Sequence, residues 1–207
     1  MHERSRFSAL LLYGGAGKRF GGEKGLARFR GERLVERLLR VLDRVSDDVM
    51  ISTNAPELYR EFGRRLVADL VPGAGPLAGL DAALHAAQHA WLAVVAGDMP
   101  FAAAELLEHL AALAEDGEGY DAVVPLRGNV RGGPAYEPLH ALYHRRCLPA
   151  IEAALAAGRR RVIAFYPRVR VRAVAEEEWG AIAGARVFAN VNTREELAQL
   201  EAELGEE

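Results

Sequence analysis

A continuous apolar run at residues 7–13 (FSALLLY) breaks directly into GGAGKRFGGEKG at 14–25. An apolar run of that length, closed by glycines, reads as a buried strand whose carboxyl end opens into a loop. Glycine-rich loops in that position bind phosphates, because absent side chains let backbone N–H groups converge on an anion near the positive end of the following helix. This single junction therefore constrains both the fold class and the ligand class.

The rest of the chain continues the alternation. Leu34, Val35, Leu38, Leu39, Val41, Leu42 and Val45 fall at helical spacing and predict an amphipathic helix over 32–45. A strand over 49–53, a helix over 56–64 and a short strand over 66–68 ending at Asp69 follow. GPLAG at 75–79 opens a helix that runs to residue 88, then come a buried strand over 91–96 and a helix over 102–114. Beyond them lie a strand at 122–125, a loop at 127–134 (RGNVRGGP), a strand at 137–143 and a helix at 148–157. A short helix at 159–165, a strand at 169–174 and a last helix at 193–204 complete the reading. This order predicts an α/β, Rossmann-like fold with a mostly parallel sheet and helices on both faces. The chain has 207 residues, half of them hydrophobic, with no repeat or low-complexity linker, which predicts one domain spanning 1–207.

The formal net charge of -3 offers no broad basic field, so neither nucleic acid nor an anionic membrane is expected as a partner, and any anionic ligand must be held locally. Cys147 is the lone cysteine, and the residues before 7 lack the long apolar core of a secretion signal. The apolar stretch 90–96 is far too short to span a bilayer. These features predict a cytoplasmic location. Lys18 and Lys24 are the only lysines, every other basic position being arginine, and both lie in the glycine-rich loop. Asparagine is also scarce, yet Asn190 and Asn192 stand one residue apart.

Three kinds of site use such a loop. A P-loop requires Lys directly after Gly with another Gly five residues earlier; Lys18 fails because Leu12 holds the earlier position, and Lys24 fails because Glu23 precedes it. The dinucleotide fingerprint fits Gly15 and Gly17 but meets Phe20 at its third glycine, and Ser52, Thr53 and Asn54 offer no acid for a ribose. What remains is a loop whose amides, with Arg19 and Lys24, hold a triphosphate, as nucleotidyl transfer requires. Asp98 ends the strand WLAVVAGDMP, and one carboxylate bridging to a triphosphate suffices for Mg2+; its structural alternative is a turn aspartate capping the next helix. Asp69, before VPGAGPLAG, is placed to accept from guanine N1-H and N2-H together, a pairing adenine cannot offer. Its competitor is a plain helix start at Pro76.

Taken together, LYGGAGKRFGGEKGL at 12–26, GPLAG at 75–79, GDMP at 97–100 and NVNTREEL at 190–197 resemble the molybdenum cofactor guanylyltransferases. The resemblance runs through nearly the whole chain. It implies the nucleotide-diphospho-sugar transferase type of fold and transfer of GMP from GTP to molybdopterin, with Mg2+ as cofactor and pyrophosphate released. By the same resemblance Leu12, Gly14 and Gly15 contact the nucleotide, Lys24 binds its phosphates, Ser52 lies at a base-contacting position, Asp69 reads guanine and Asp98 holds the metal. Tyr13 and Gly79 belong to the same nucleotide-binding segments, and Asn190 or Asn192 completes the metal site or touches the pterin. Lys24, Arg19 and Asp98 are the catalytic candidates. Cofactor-biosynthesis proteins or acceptor apoenzymes are the protein partners it suggests. Three departures stand out: the family usually has a small residue where Tyr13 stands, commonly Asn where Ser52 stands, and one residue more between glycines and lysine. The alternatives are a cytidylyl or sugar-1-phosphate nucleotidyltransferase, or a nucleotide-binding protein without catalysis.

Other features read as structural. His85 with His89, and His140 with His144, have four-residue spacing, but no acidic cluster joins them and the second pair falls on a strand, so zinc is not expected and they read as ordinary surface or packing histidines. Thr193 and Glu196 match a capping box that starts the last helix. Arg159, Arg160 and Arg161 could meet the acceptor phosphate, but a solvated run is the preferred reading. Arg145 and Arg146 precede Cys147 and invite a lowered thiol pKa, with no nearby base to use it.

Overall fold

A computed structural model describes residues 7–13, 20, 23–68, 75–116, 119–130 and 133–205. In chain order the elements are β1 (Ser8–Tyr13), a 3-10 turn (Lys24–Leu26), β2 (Arg28–Phe29), β3 (Glu32–Arg33), α1 (Leu34–Val45) and β4 (Asp48–Thr53). Then come α2 (Pro56–Tyr59), β5 (Arg65–Val67), α3 (Pro76–Ala86), β6 (Trp91–Ala96) and α4 (Ala104–Glu115). The remainder comprises β7 (Ala122–Val130), β8 (Gly133–Tyr136), β9 (His140–His144), α5 (Leu148–Ala156), a 3-10 helix (Val162–Arg168), β10 (Val171–Val174), α6 (Glu176–Ala183) and α7 (Arg194–Gly205).

The main sheet runs β5-β4-β1-β6-β9-β7-β10, with β8 against β7. Pairings β1–β4, β1–β6, β4–β5 and β7–β10 are parallel, and β9 is inserted antiparallel between β6 and β7. Strand alternation sends Ala9, Leu11, Ala93 and Val95 to one face, under α1, α4 and α6, while Leu10, Leu12, Leu92 and Val94 meet α3 and α5 on the other. Helices thus cover both faces, as the apolar runs require. A smaller cluster of Phe20, Phe29, Leu34, Val191 and Leu197 fastens α7 to the β2–β3 hairpin.

Chain order reverses at β1, which feeds β4 on one side and has β6 on the other. In parallel α/β sheets that reversal opens a crevice at the carboxyl ends of the strands, where ligands collect. The opposite, amino-terminal end is tied by Asp48: its buried carboxylate accepts from Ser8 Oγ, Gln88 N at 3.0 Å and Arg65 Nη2. Burial alone would raise its pKa, but these donors outweigh burial and hold it below the usual carboxylate range.

Several boundaries differ from the sequence reading. The helix expected from residue 32 begins at Leu34, because Glu32 and Arg33 pair with Phe29 and Arg28 across a two-residue turn in which Arg30 and Gly31 have φ 53° and 83°. The helix over 56–64 is one α turn followed by 3-10 geometry at Arg60–Phe62. Residues 127–130 and 133–134, expected as loop, are strand: β7 continues to Val130 and pairs with β8, with an irregularity between Leu126 and Asn129 where Gly128 has φ 82°. Gly128 serves a bulge, which composition alone does not separate from a loop. The helix at 159–165 is 3-10 and shifted to Val162–Arg168, and α6 had no counterpart in the sequence reading.

Candidate active site

The crevice between β1 and β6 is built from backbone outward. Beyond the last paired residues, Gly97 N–H donates to Leu12 O at 2.9 Å, continuing the β1–β6 ladder one step and placing Asp98 beside the tip of β1. Met99 N–H closes a turn onto Ala96 O at 3.2 Å, and Arg37 Nε donates to Pro100 O at 2.7 Å, anchoring the GDMP turn to α1. Asp98 O in turn accepts from Val191 N–H at 2.9 Å, which draws the NVNT segment over the same crevice. Thr193 Oγ1 accepts from Glu196 N–H at 3.0 Å and Glu196 Oε2 from Thr193 N–H at 3.3 Å, so the capping box forms as expected and fixes where that segment enters α7.

Lys24 opens the 3-10 turn, held by Leu26 N–H to Glu23 O and Ala27 N–H to Lys24 O, both at 3.1 Å. Its ammonium donates to Asp98 Oδ2 at 3.3 Å and to Asn192 Oδ1 at 3.3 Å. Residues separated by 74 and 168 positions therefore converge on one nitrogen. The two charged side chains are 18% and 27% exposed, enough for an anion to reach them.

Below this group lies the Tyr13 ring. A Cβ on Gly97 would stand 1.9 Å from Tyr13 Cε1, and one on Gly25 2.8 Å from its Cζ. Tyr13 is thus wedged between the glycines adjacent to Asp98 and Lys24, and it stacks 5.1 Å from Tyr59. Burial, then the nearby Tyr59, Asp98 and Glu23, push its phenol well above the ordinary tyrosine range and keep it neutral.

Of the other sequence candidates, Leu12 and Ser52 are neighbours in register on β1 and β4, both buried. Gly79 is buried in the first turns of α3, whose start needs Gly75 at φ 78°. Asn192 joins Lys24, whereas Asn190 is exposed two residues away. Gly14, Gly15, Arg19 and Asp69 lie outside the described residues. The sequence reading assigned nothing to Glu137, which is 8% exposed and 3.5 Å from Arg127 Nη1. Burial raises its pKa, Arg127 pulls it down, and the charge of Asp98 raises it further, which places a second carboxylate within electrostatic reach of Asp98. Its only sequence signal was a charged residue at the mouth of an apolar strand.

Two expectations are corrected. His85 is joined by acids, Glu152 from α5 and Asp81 from its own helix. Cys147 is buried, and desolvation, with Asp121 nearby, pushes its thiol up to about 12, opposite to the lowering its arginine neighbours suggested.

A lysine ammonium and a carboxylate meet at the switch point of a mostly parallel sheet, and the architecture is that of a nucleotidyltransferase of the nucleotide-diphospho-sugar transferase fold. The MobA-like NTP transferase domain matches residues 9–173, and the chain belongs to that family. A relative named probable molybdenum cofactor guanylyltransferase, from Pelotomaculum thermopropionicum, is 42% identical over 93% of this chain and 90% of its own. A molybdenum cofactor guanylyltransferase from Pseudomonas putida is 38% identical over 74% and 78%. The crystal structure of molybdopterin-guanine dinucleotide biosynthesis protein A from Archaeoglobus fulgidus superimposes with a TM-score of 0.81, at 28% identity, over 97% of this chain and 100% of that one.

Proposed function

We propose that this chain transfers the GMP moiety of GTP to the terminal phosphate of molybdopterin and releases pyrophosphate. The observation that carries the reading is the convergence of Lys24, Asp98 and Asn192 at the β1–β6 crevice. The acceptor phosphate oxygen attacks the α-phosphorus in line, the α–β phosphoanhydride bond breaks, and its electron pair leaves with pyrophosphate. No side-chain nucleophile is proposed, so the protein's task is to position the reactants and neutralise charge. The Lys24–Asp98 pair is partly open, its side chains 18% and 27% exposed, so a triphosphate can reach both groups. Once bound it displaces the pair, and the ammonium then donates to phosphate oxygens.

Among the described residues, Asp98 Oδ2 and Asn192 Oδ1 each lie 3.3 Å from the Lys24 ammonium, oxygen donors of the kind a hard divalent cation such as Mg2+ takes. Asp98 would hold it, with Asn192 as the neighbouring oxygen. When bound, the ion supplies positive charge to the α- and β-phosphates. Exposed Asn190 is assigned to the pterin acceptor, and Asp69 to guanine N1-H and N2-H. Arg160 lies against the start of α3, its carbonyl 3.7 Å from where a Cβ on Gly75 would stand, and the exposed run at 159–161 is assigned as a second-choice docking place for acceptor phosphates.

The test is incubation with α-labelled GTP, Mg2+ and molybdopterin, with identification of both products. Label in a pterin-guanine dinucleotide together with stoichiometric pyrophosphate supports the proposal. Label transfer from CTP but not GTP would move the reading to a cytidylyltransferase, and nucleotide-dependent stabilisation without pyrophosphate would make the chain a binding protein.

A further inference from the structure

Helices α3 and α5 pack together on the sheet face opposite α1 and α4, through Leu80, Leu84, Ile151 and Ala154. At the edge of that contact Asp81 and His85 stand one turn apart on α3, so they share a face, and Glu152 reaches them from α5. His85 Nε2 is 3.1 Å from Glu152 Oε1 and 4.0 Å from Asp81 Oδ1, and one ligand atom from each residue lies within 4.8 Å of the others.

A histidine between acids is common as a plain ion pair. What sets this cluster apart is Asp81: its side chain is only 7% exposed, and Oδ1, the atom turned to the histidine, is buried without a hydrogen-bond partner. A buried acceptor left unpaired is destabilising, and a cation that pairs with it removes that cost. Burial raises the pKa of Asp81, partly countered by His85 and reinforced by Glu152.

We propose that Asp81, His85 and Glu152 form a second metal site, for a first-row transition cation of the zinc class, separate from the Asp98 centre. One imidazole with two carboxylates is a donor set that Zn2+ or Co2+ takes readily and Mg2+, which prefers oxygen alone, does not. Zinc–ligand bonds of about 2.0–2.2 Å put neighbouring donors about 3.3 Å apart. The His85–Glu152 separation already meets that spacing, and His85 and Glu152, both about half exposed, have room to close on Asp81. The site lies at the amino-terminal end of the sheet, since Gln88 and His89, just after α3, bond to Asp48 and Ser8 at the starts of β4 and β1. The ion would staple α3, whose other end carries GPLAG, to α5.

The test uses the untagged full-length chain, stripped by chelator, in an Asp98→Asn background so that the crevice does not contribute. Zn2+ titration by calorimetry and Co2+ titration by visible absorption should each show a single equivalent, and Zn2+ should raise Tm. His85→Ala should lose that equivalent, Glu152→Gln should weaken binding at least about tenfold, and His89→Ala, paired with Asp47 outside the cluster, should bind like its parent. No bound equivalent, or one unaffected by both His85→Ala and Glu152→Gln, would overturn the proposal.

Discussion

The Tyr13 ring occupies the volume that any side chain at residue 97 would need: a Cβ there falls 1.9 Å from Tyr13 Cε1. The close approach lets Gly97 N–H reach Leu12 O and so sets Asp98 at the tip of β1. Gly97→Ala should therefore displace the GDMP turn, costing about 2 kcal/mol or more in stability and lowering kcat. Replacing Tyr13 with Ala in the same chain should restore most of both, and a double-mutant cycle by chemical denaturation and steady-state kinetics measures the coupling. Additive losses would separate the two residues.

In the proposed reaction Lys24 is assigned to neutralise the departing pyrophosphate. Lys24→Ala should lower kcat/KM for GTP about 10²–10³-fold. Lys24→Arg should recover little, because a planar guanidinium does not reproduce a compact ammonium shared between Asp98 and Asn192. Asn192→Ala, which removes one neutral acceptor, should cost about tenfold or less. Steady-state kinetics of the three variants check the ranking.

Much of this arrangement is legible from residues 7–26 and 91–100 alone, because fully buried parallel strands are written as unbroken apolar runs and their carboxyl ends as glycine-rich turns. The capping box at Thr193 and Glu196 was readable because its chemistry is local. The contacts that join distant segments were not. Nothing local to Glu137 says that β9 lies beside β6 and brings it near Asp98, and nothing around His85 says that α5 delivers Glu152. The β7–β8 hairpin escaped for another reason: an arginine- and glycine-rich stretch has the composition of a loop, and pairing with β7 decides otherwise. The lysine and asparagine scarcity pointed to Lys24 and Asn192 but not to their meeting on one another.

His140 is buried against Phe188, ring centres 5.6 Å apart, and burial holds its imidazole down to about 4. Between pH 6.5 and 4 the unfolded chain binds a proton that the folded chain excludes. Stability from this group is thus fully present above pH 6.5 and lost as pH falls toward 4, about 3 kcal/mol across the window. His140→Phe should flatten that part of the curve, which urea denaturation at pH 7 and pH 4.5 measures.

Cys147 should resist alkylation in the folded chain at pH 8, since burial pushes its thiol up to about 12 and its Sγ donates to Asp121 O at 3.1 Å. Iodoacetamide labelling followed by mass spectrometry should show modification only with denaturant present.

The central claim is that the carboxylate of Asp98, brought to Lys24 by the β1–β6 ladder, is indispensable to nucleotidyl transfer. Pyrophosphate release from GTP with Mg2+ and molybdopterin, compared between the parent and Asp98→Ala at equal folded fraction by circular dichroism, tests it most directly. A loss of about 10³-fold or more is predicted; turnover close to the parent's would contradict the account.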